Sequence, residues 1–425
     1  MHPTLPSRRS LLLTCALLLG APVWAASPAM PSPDTAKGYA VVIGGALQDD
    51  NDDIWRRLVA LSGGRGSKWV VLGTASQNPD KTGRRISEQL VKRGAQAEVL
   101  PVAPAFKWVD LDKAVRDPAL LEEINLAQGV FFSGGAQERI VDTLRPGGRS
   151  TPMLDAIWAL YRRGGVVAGT SAGAAIMSQI MFRDAYSVIN VMKGDLRAGK
   201  EIDEGLGFIG PKVFVDQHFL KRGRFGRMIP LMIAKGYKLG LGVEENSAAV
   251  VHGDQVEVMG AKGALLVDLS AIHVDASQPA LNFTGARLTY LDAGDQYDLA
   301  QSRIFPSLEK LDGQKLDPNA ASYKPEYEVE PYYVDMLGER IISNAMAYLI
   351  DSKLTQIRGL AFDALAPEDQ ARADLGFALR LYKGKDSMGW YTDAQGGEDY
   401  TVANIYLDVQ PVKMARPLFT PWPKP

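Results

Sequence analysis

Gly164-Gly165-Val166-Val167-Ala168-Gly169-Thr170-Ser171-Ala172-Gly173-Ala174-Ala175 reads as a buried strand running straight into a helix, with Ser171 at the sharp turn between them. Its Gly169-x-Ser171-x-Gly173 pattern is that of a nucleophile elbow, in which flanking glycines let the chain turn tightly and expose the serine at the strand's carboxyl end. A helix that follows points its positive end at the reacting oxygen, and the backbone N–H of Ala172 becomes a natural oxyanion donor. The same short pattern also serves Gly-rich turns that bind phosphate or merely pack, so other residues must supply a base before it reads as catalytic.

Outward from this segment, apolar runs alternate with helical patterns from residue 38 onward. The runs are Tyr39 to Ile43, Trp69 to Leu72, Ala97 to Val102, Gly129 to Phe132, Gly165 to Ala168 and Lys212 to Val215. Helix candidates lie near 53–62, 80–94, 137–144, 152–163 and 172–180. The alternation predicts an α/β fold with a doubly wound, mainly parallel sheet. After Gly242 the texture changes to short strands and tight turns: Ala248 to Val251, a turn at His252-Gly253-Asp254, Val256 to Met259 and Ala264 to Val267, which predicts a β-rich edge built of hairpins. Residues 301–425, with one helical stretch near 339–352 and a Pro-rich end, are expected to form an extension or small second domain. Residues 36–300 then make the principal domain.

The chain has 425 residues, 46% of them hydrophobic, enough for a sizeable core and two or three domains. Lys plus Arg number 47 against 49 for Asp plus Glu, so the chain as a whole offers no field for gripping nucleic acid, and a charged substrate must be read locally. Residues 1–25 read as an export signal: Arg8-Arg9, an apolar run from Leu11 to Ala21, and Val23-Trp24-Ala25 as the cleavage site. The paired arginines approach a twin-arginine signal, but general secretion is an equal reading. No later stretch is long and apolar enough for a membrane span. The single cysteine, Cys15, falls inside the leader, so the mature chain is expected to have no disulfide, no thiolate nucleophile and no cysteine-ligated metal.

Three histidines follow the leader. His252 falls in a predicted hairpin turn and His273 in a β-rich strand, where packing or surface roles are the default. His218 follows Lys212-Val213-Phe214-Val215 and so lies at the carboxyl edge of a parallel strand, where α/β sheets place their sites. A catalytic base needs a third group to orient it, and Gly242-Val243-Glu244-Glu245-Asn246 offers two acids after another apolar strand. Neighbouring strand residues face opposite ways, so only one of Glu244 and Glu245 can meet His218, and periodicity alone does not choose.

Taken together, four segments resemble the cyanophycinase family: Val42-Ile43-Gly44-Gly45-Ala46, Phe132-Ser133-Gly134-Gly135-Ala136-Gln137, Gly169-Thr170-Ser171-Ala172-Gly173-Ala174 and Val215-Asp216-Gln217-His218-Phe219. These proteins are relatives of aspartyl dipeptidase and resemble class I glutamine amidotransferases in their sheet, but use a Ser-His-Glu triad. A fifth segment, Gly242 to Ala248, aligns Glu245 with the family's triad acid. The order serine, histidine, acid departs from that of ordinary α/β-hydrolases. By resemblance, Gly135 shares the oxyanion hole with Ala172, Gln137 reaches into the substrate pocket, and no cofactor or metal is required. The resemblance covers about residues 38–300 and says nothing of the extension.

The family's substrate, cyanophycin, is a polyaspartate backbone with arginine joined through each side-chain carboxyl, cut to β-aspartyl-arginine dipeptides. Asp216, Gln217, Arg222, Arg224 and Arg227 match the family's binding segment, and arginine's planar fork suits bidentate pairing with carboxylates. On a regular helix Arg224 and Arg227 share a face, whereas Arg222 lies about 200° from Arg224. All three therefore enter one pocket only if the chain before Gly223 is a turn; otherwise they form a solvated basic face. An exported peptidase of the same fold acting on short acidic peptides, or a non-catalytic cyanophycin binder, are the rival readings. The oligomeric state is open, with a homodimer allowed.

Overall fold

The computed structural model describes residues 38–367, 370–394 and 396–422; the leader read at 1–25, with Cys15, lies outside them. The first five apolar runs become parallel strands: β1 (Tyr39–Ile43), β2 (Lys68–Leu72), β3 (Gln96–Leu100), β4 (Gly129–Phe132) and β5 (Val166–Thr170). Between them run the helices α1 (Asp52–Leu61), α2 (Pro79–Lys92), α3 (Leu111–Ala114), α4 (Pro118–Leu126), α5 (Gln137–Leu144) and α6 (Pro152–Arg162). Side-chain caps fix where the longer helices start: Asn51, Asn78 and Thr151 accept backbone N–H groups of the first turns of α1, α2 and α6.

The chain continues with α7 (Ala172–Ala175), β6 (Ile180–Phe182), α8 (Val188–Met192), β7 (Ile202–Glu204), β8 (Val213–Gln217), α9 (Phe225–Lys235) and β9 (Leu239–Val243). Hairpins follow: β10 (Ser247–His252), β11 (Gln255–Gly260), β12 (Ala264–Asp268), β13 (Phe283–Leu291), β14 (Gln296–Asp298) and β15 (Arg303–Phe305). The last part holds α10 (Leu308–Asp312), β16 (Gln314–Leu316), β17 (Tyr332–Tyr333), α11 (Ile341–Ile350), β18 (Gln356–Ala361), β19 (Leu375–Thr392) and β20 (Asp399–Lys413).

The first sheet has the order β15-β14-β11-β10-β1-β5-β4-β2-β3. Its β1-to-β3 half is parallel, so the carboxyl ends of five strands share one edge, and β10 joins β1 antiparallel. β1 is apolar throughout because both its faces are covered. Val41 and Ile43 pack with Trp55 and Trp69, while Ala40 and Val42 pack with Phe132 and Trp158.

The sixth apolar run does not join this sheet. β8 pairs parallel with β9 at the edge of a second sheet of order β17-β18-β19-β20-β13-β12-β9-β8. Period and composition select a strand but not its partner, and the apolar contacts of Val213, Val215, Leu241 and Val243 with the first sheet's core decide the placement. The helix expected over 172–180 stops at Ala175. The carbonyls of Ile176 and Met177 are taken by the N–H groups of Leu206 and Ile209, so they cannot serve a continuing helix.

Strands from both sides of residue 300 share the second sheet: Leu288 faces Ile405 across β13 and β20. A register shift between Lys383 and Met388, with Lys383-Gly384-Lys385-Asp386 inside it, breaks the alternation that would have marked β19 as a long strand. The segment near α11 also reaches the first part of the chain. Arg340 N–H donates to Leu220 O at 2.8 Å, Lys221 pairs with Glu339 at 2.6 Å, and Gly223 lies against Leu337.

We propose that residues 301–425 act as an extension completing the 36–300 unit. A chain ended at Ala300 exposes the β13 edge and the apolar side chains that β20 and α11 cover. It is expected to lose a single cooperative melting transition and to bind a hydrophobic dye. Ordinary cooperative unfolding of that truncated chain would instead make 36–300 self-sufficient.

Candidate active site

Three chain segments converge on the end of β1. Ser171 N–H donates to Ile43 O at 3.0 Å, His218 N–H to Gly44 O at 2.7 Å, and Asn246 N–H to Gly45 O at 2.8 Å. Ser171, at φ 53°, and His218, at φ 47°, stand in a left-handed region that side chains rarely adopt. The elbow glycines are required by close approach. A Cβ on Gly169 would lie 2.1 Å from Gly173 O, and one on Gly173 would lie 2.4 Å from Phe132 O.

Ser171 Oγ is 2.8 Å from His218 Nε2, and His218 Nδ1 is 2.6 Å from Glu245 Oε1. With Nδ1–H donating to the carboxylate, Nε2 is left to accept the serine proton, the arrangement a general base needs. Burial pushes the His218 imidazole below its usual value of 6.5. The hydrogen bond that His218 donates to Glu245 opposes that shift, while the charges of Arg222 and Arg224 add to it. The ring is therefore neutral and able to take a proton at neutral pH. It also fits tightly: a Cβ on Gly45 would lie 2.3 Å from His218 Cε1, so the glycine at that position makes room for the imidazole.

The two acids stand in the turn between β9 and β10, outside both strands, and the turn rather than strand alternation separates them. Glu245 meets His218, whereas the buried Glu244 turns the other way and its Oε2 accepts from Leu220 N–H at 2.5 Å and Lys221 N–H at 2.8 Å. Glu244 thus holds the turn that carries His218, a role that sequence reading missed. Only the pairing of the two glutamates in sequence hinted that both would be used.

The loop after β4 lies against the elbow, since a Cβ on Gly134 would stand 3.3 Å from Ser171 Cβ. Neither Gly135 nor Ala172 spends its backbone N–H on another group among the described residues, which leaves both as donors at this edge. Gln137 begins α5, and its Nε2 donates to Phe182 O at 2.7 Å, so its amide secures the β6 segment.

The arginine segment is a turn up to Arg224, as entry of all three arginines into one pocket would require, but the three side chains part company. Arg227 pairs bidentately with Asp216 through Nε and Nη2, both at 2.6 Å, and its Nη1 donates to Ala185 O at 2.7 Å. Arg224 Nη1 donates to Gln217 O at 2.7 Å and lies 3.5 Å from Asp216. Burial works to raise the Asp216 carboxyl, but the charges of Arg227 and Arg224 outweigh it and hold the group below the usual range. Burial, reinforced by Arg227, draws Arg224 down to about 9, still charged at neutral pH. Asp216, Arg224 and Arg227 thus form a buried ion cluster at the turn. Gln217 is buried beside it with Oε1 unpartnered, and Arg222 is exposed, its guanidinium without an acceptor among the described residues. His252 stacks on Tyr39 at the sheet's far end, and His273 joins a bridge with Thr284, both away from Ser171.

Among the described residues no three His, Cys, Asp or Glu side chains gather as a metal site, and no helix is long and apolar enough to cross a membrane. Residues 40–259 match the profile of peptidase family S51. The chain is 30% identical over 294 residues to the cyanophycinase of Trichormus variabilis, an alignment covering 66% of this chain and 92% of that one. It is also 30% identical over 271 residues to the cyanophycinase of Geminocystis herdmanii, covering 62% and 94%. Among solved structures, a peptidase from an acI-B1 Actinobacterium is similar with a TM-score of 0.45 and 21% identity, covering 62% of this chain and 98% of that one.

If Glu245 orients His218, Glu245→Gln loses roughly 100- to 10,000-fold in kcat with the melting temperature unchanged, because the wrong tautomer is favoured. Glu244→Ala instead lowers the melting temperature by leaving the buried Leu220 N–H and the partly buried Lys221 N–H without their acceptor. The reverse pattern would exchange the two roles. Since Arg222 disfavours the imidazolium, Arg222→Gln raises the His218 pKa, and the acid limb of kcat/KM on a small ester moves to higher pH. An unmoved or lowered limb would remove Arg222 from the field of the base.

Proposed function

The chain belongs to peptidase family S51 and is a serine peptidase, and from that premise we propose that it is an exported enzyme that degrades cyanophycin to β-aspartyl-arginine dipeptides. The observation that carries the mechanism is the unbroken relay from Ser171 Oγ to His218 Nε2 and from His218 Nδ1 to Glu245. Ser171 attacks a backbone carbonyl of the polyaspartate chain while its proton passes to His218 Nε2. The oxyanion that forms is met by the N–H groups of Ala172 and Gly135. His218 then protonates the leaving amine, the peptide C–N bond breaks, and an acyl ester remains on Ser171. Water adds to that ester, its proton going to His218, and the released carboxylate leaves Ser171 to recover its proton. Glu245 holds the imidazole and stabilises its charged form throughout.

The substrate comes from the named relatives and from Arg222, the member of the arginine segment free to meet a substrate carboxylate. Asp216, Gln217, Arg224 and Arg227 serve substrate binding through the turn that they shape, and Gln137 through the β6 segment that it ties to α5. The Arg8-Arg9 leader with its apolar run and Val23-Trp24-Ala25 supports export.

Digestion of insoluble cyanophycin is expected to release soluble products with the mass of one aspartate joined to one arginine. Ser171→Ala loses at least about a thousandfold in that rate while still sedimenting with the polymer. Release of free arginine would mean that the side-chain amide, not the backbone, is cut; activity within tenfold of the parent would exclude Ser171 as nucleophile. The exported protein is expected to begin at Ala26, read by amino-terminal sequencing.

A further inference from the structure

A groove of about 480 Å³ lies not at Ser171 but on the outer face of the second sheet. It crosses β17 to β20, beyond the family match that ends at residue 259. Cross-strand register sets Tyr332 beside Arg358, Arg358 opposite Arg380, and Arg380 opposite Asp408, so one row of side chains runs over four strands. Like charges directly opposite each other destabilise a sheet, and here the neutralisation is incomplete. Asp408 Oδ2 takes Arg380 at 2.6 Å and Asp408 Oδ1 takes Gly285 N–H at 2.9 Å. Arg358 is exposed and its guanidinium has no hydrogen-bond or ion-pair partner among the described residues, while Tyr332 presents a ring 60% exposed and equally unpartnered.

An unpaired guanidinium beside a bare aromatic face suits a ligand that carries a carboxylate and a cation a few ångströms apart. Arginine joined by an amide to an aspartate side chain keeps both its own carboxylate and its guanidinium, and in the polymer that pair repeats at every unit. We propose that this row is a second, non-catalytic binding site for the cyanophycin chain, with Arg358 taking the arginyl carboxylate and Tyr332 stacking on the guanidinium; the occupant rests on the substrate reading above. Six strand spacings separate β18 from β8, the strand that leads to His218. At about 4.8 Å each they span roughly 29 Å, or about nine extended residues, so a short oligomer cannot reach both places. The site therefore holds polymer without touching the chemistry.

The test uses the full chain and two substrates. Parent, Arg358→Glu and Tyr332→Ala are compared on a soluble oligomer of two or three aspartyl-arginine units, and then, each with Ser171→Ala to prevent cleavage, for sedimentation with insoluble cyanophycin. Expected is oligomer cleavage within about twofold of the parent for both variants. The concentration for half-saturation of the granules should rise roughly tenfold or more for Arg358→Glu and severalfold for Tyr332→Ala. If Arg358→Glu fails to cleave the oligomer, and so is misfolded, Tyr332→Ala decides by the same comparison. Unchanged granule binding with oligomer cleavage intact overturns the second site alone. A parent that cleaves neither substrate overturns the substrate reading, and this inference with it.

Discussion

Three consecutive carbonyls at the end of β1 fix the geometry on which the chemistry depends. Ile43, Gly44 and Gly45 accept the N–H groups of Ser171, His218 and Asn246, so Ser171, His218 and the segment carrying Glu245 share one rigid anchor. Each bond adds only about 0.5–1.5 kcal/mol net, but losing one at a buried site leaves a donor unpaired at about 1–3 kcal/mol. The larger return is positional. Catalytic groups must be held within about 0.5 Å, and bonds from one strand end to three segments prevent those segments from drifting independently. The unusual backbone angles of Ser171 and His218 persist because this anchor and the packing around it over-determine them.

Beneath the anchor lies a layer of buried charge. Asp216 faces Arg227 and Arg224, and Glu244 receives two backbone N–H groups of the turn after His218. Buried ion pairs add little to stability, because desolvation offsets their attraction, but they specify geometry when every partner is in place. Here they hold a turn of irregular backbone, which has no ladder of its own to do so. From the other side, Arg340 and Glu339 contact Leu220 and Lys221, so the extension closes over the same turn. His218 is therefore braced by segments more than a hundred residues apart.

The second sheet joins these themes. β8 and β9 bring His218 and Glu245 to the first sheet's carboxyl edge, and the same sheet continues through β12 and β13 into the long β19–β20 pair. Packing at one end thus places His218, while the other end presents an open face more than twenty ångströms away by strand spacing.

Much of this was legible in the sequence because it rests on local rules. Alternating apolar runs and helical patterns marked five parallel strands, and Gly169-x-Ser171-x-Gly173 marked the elbow, since only glycine permits contacts as close as those with Gly173 O and Phe132 O. Glu244 and Glu245 do diverge, but they do so in the turn between β9 and β10 and not by the strand alternation read from the sequence. Only tertiary structure decided the rest. Which sheet β8 joined, where α7 stopped, and which arginine stayed free of Asp216 all depend on partners distant in the chain, and a sequence window contains no information about which of several equally charged or apolar groups will be nearest. The long strand β19 was hidden for a related reason: a bulge and a polar stretch broke its period, and its ladder with β20 restored it only once the chain had folded.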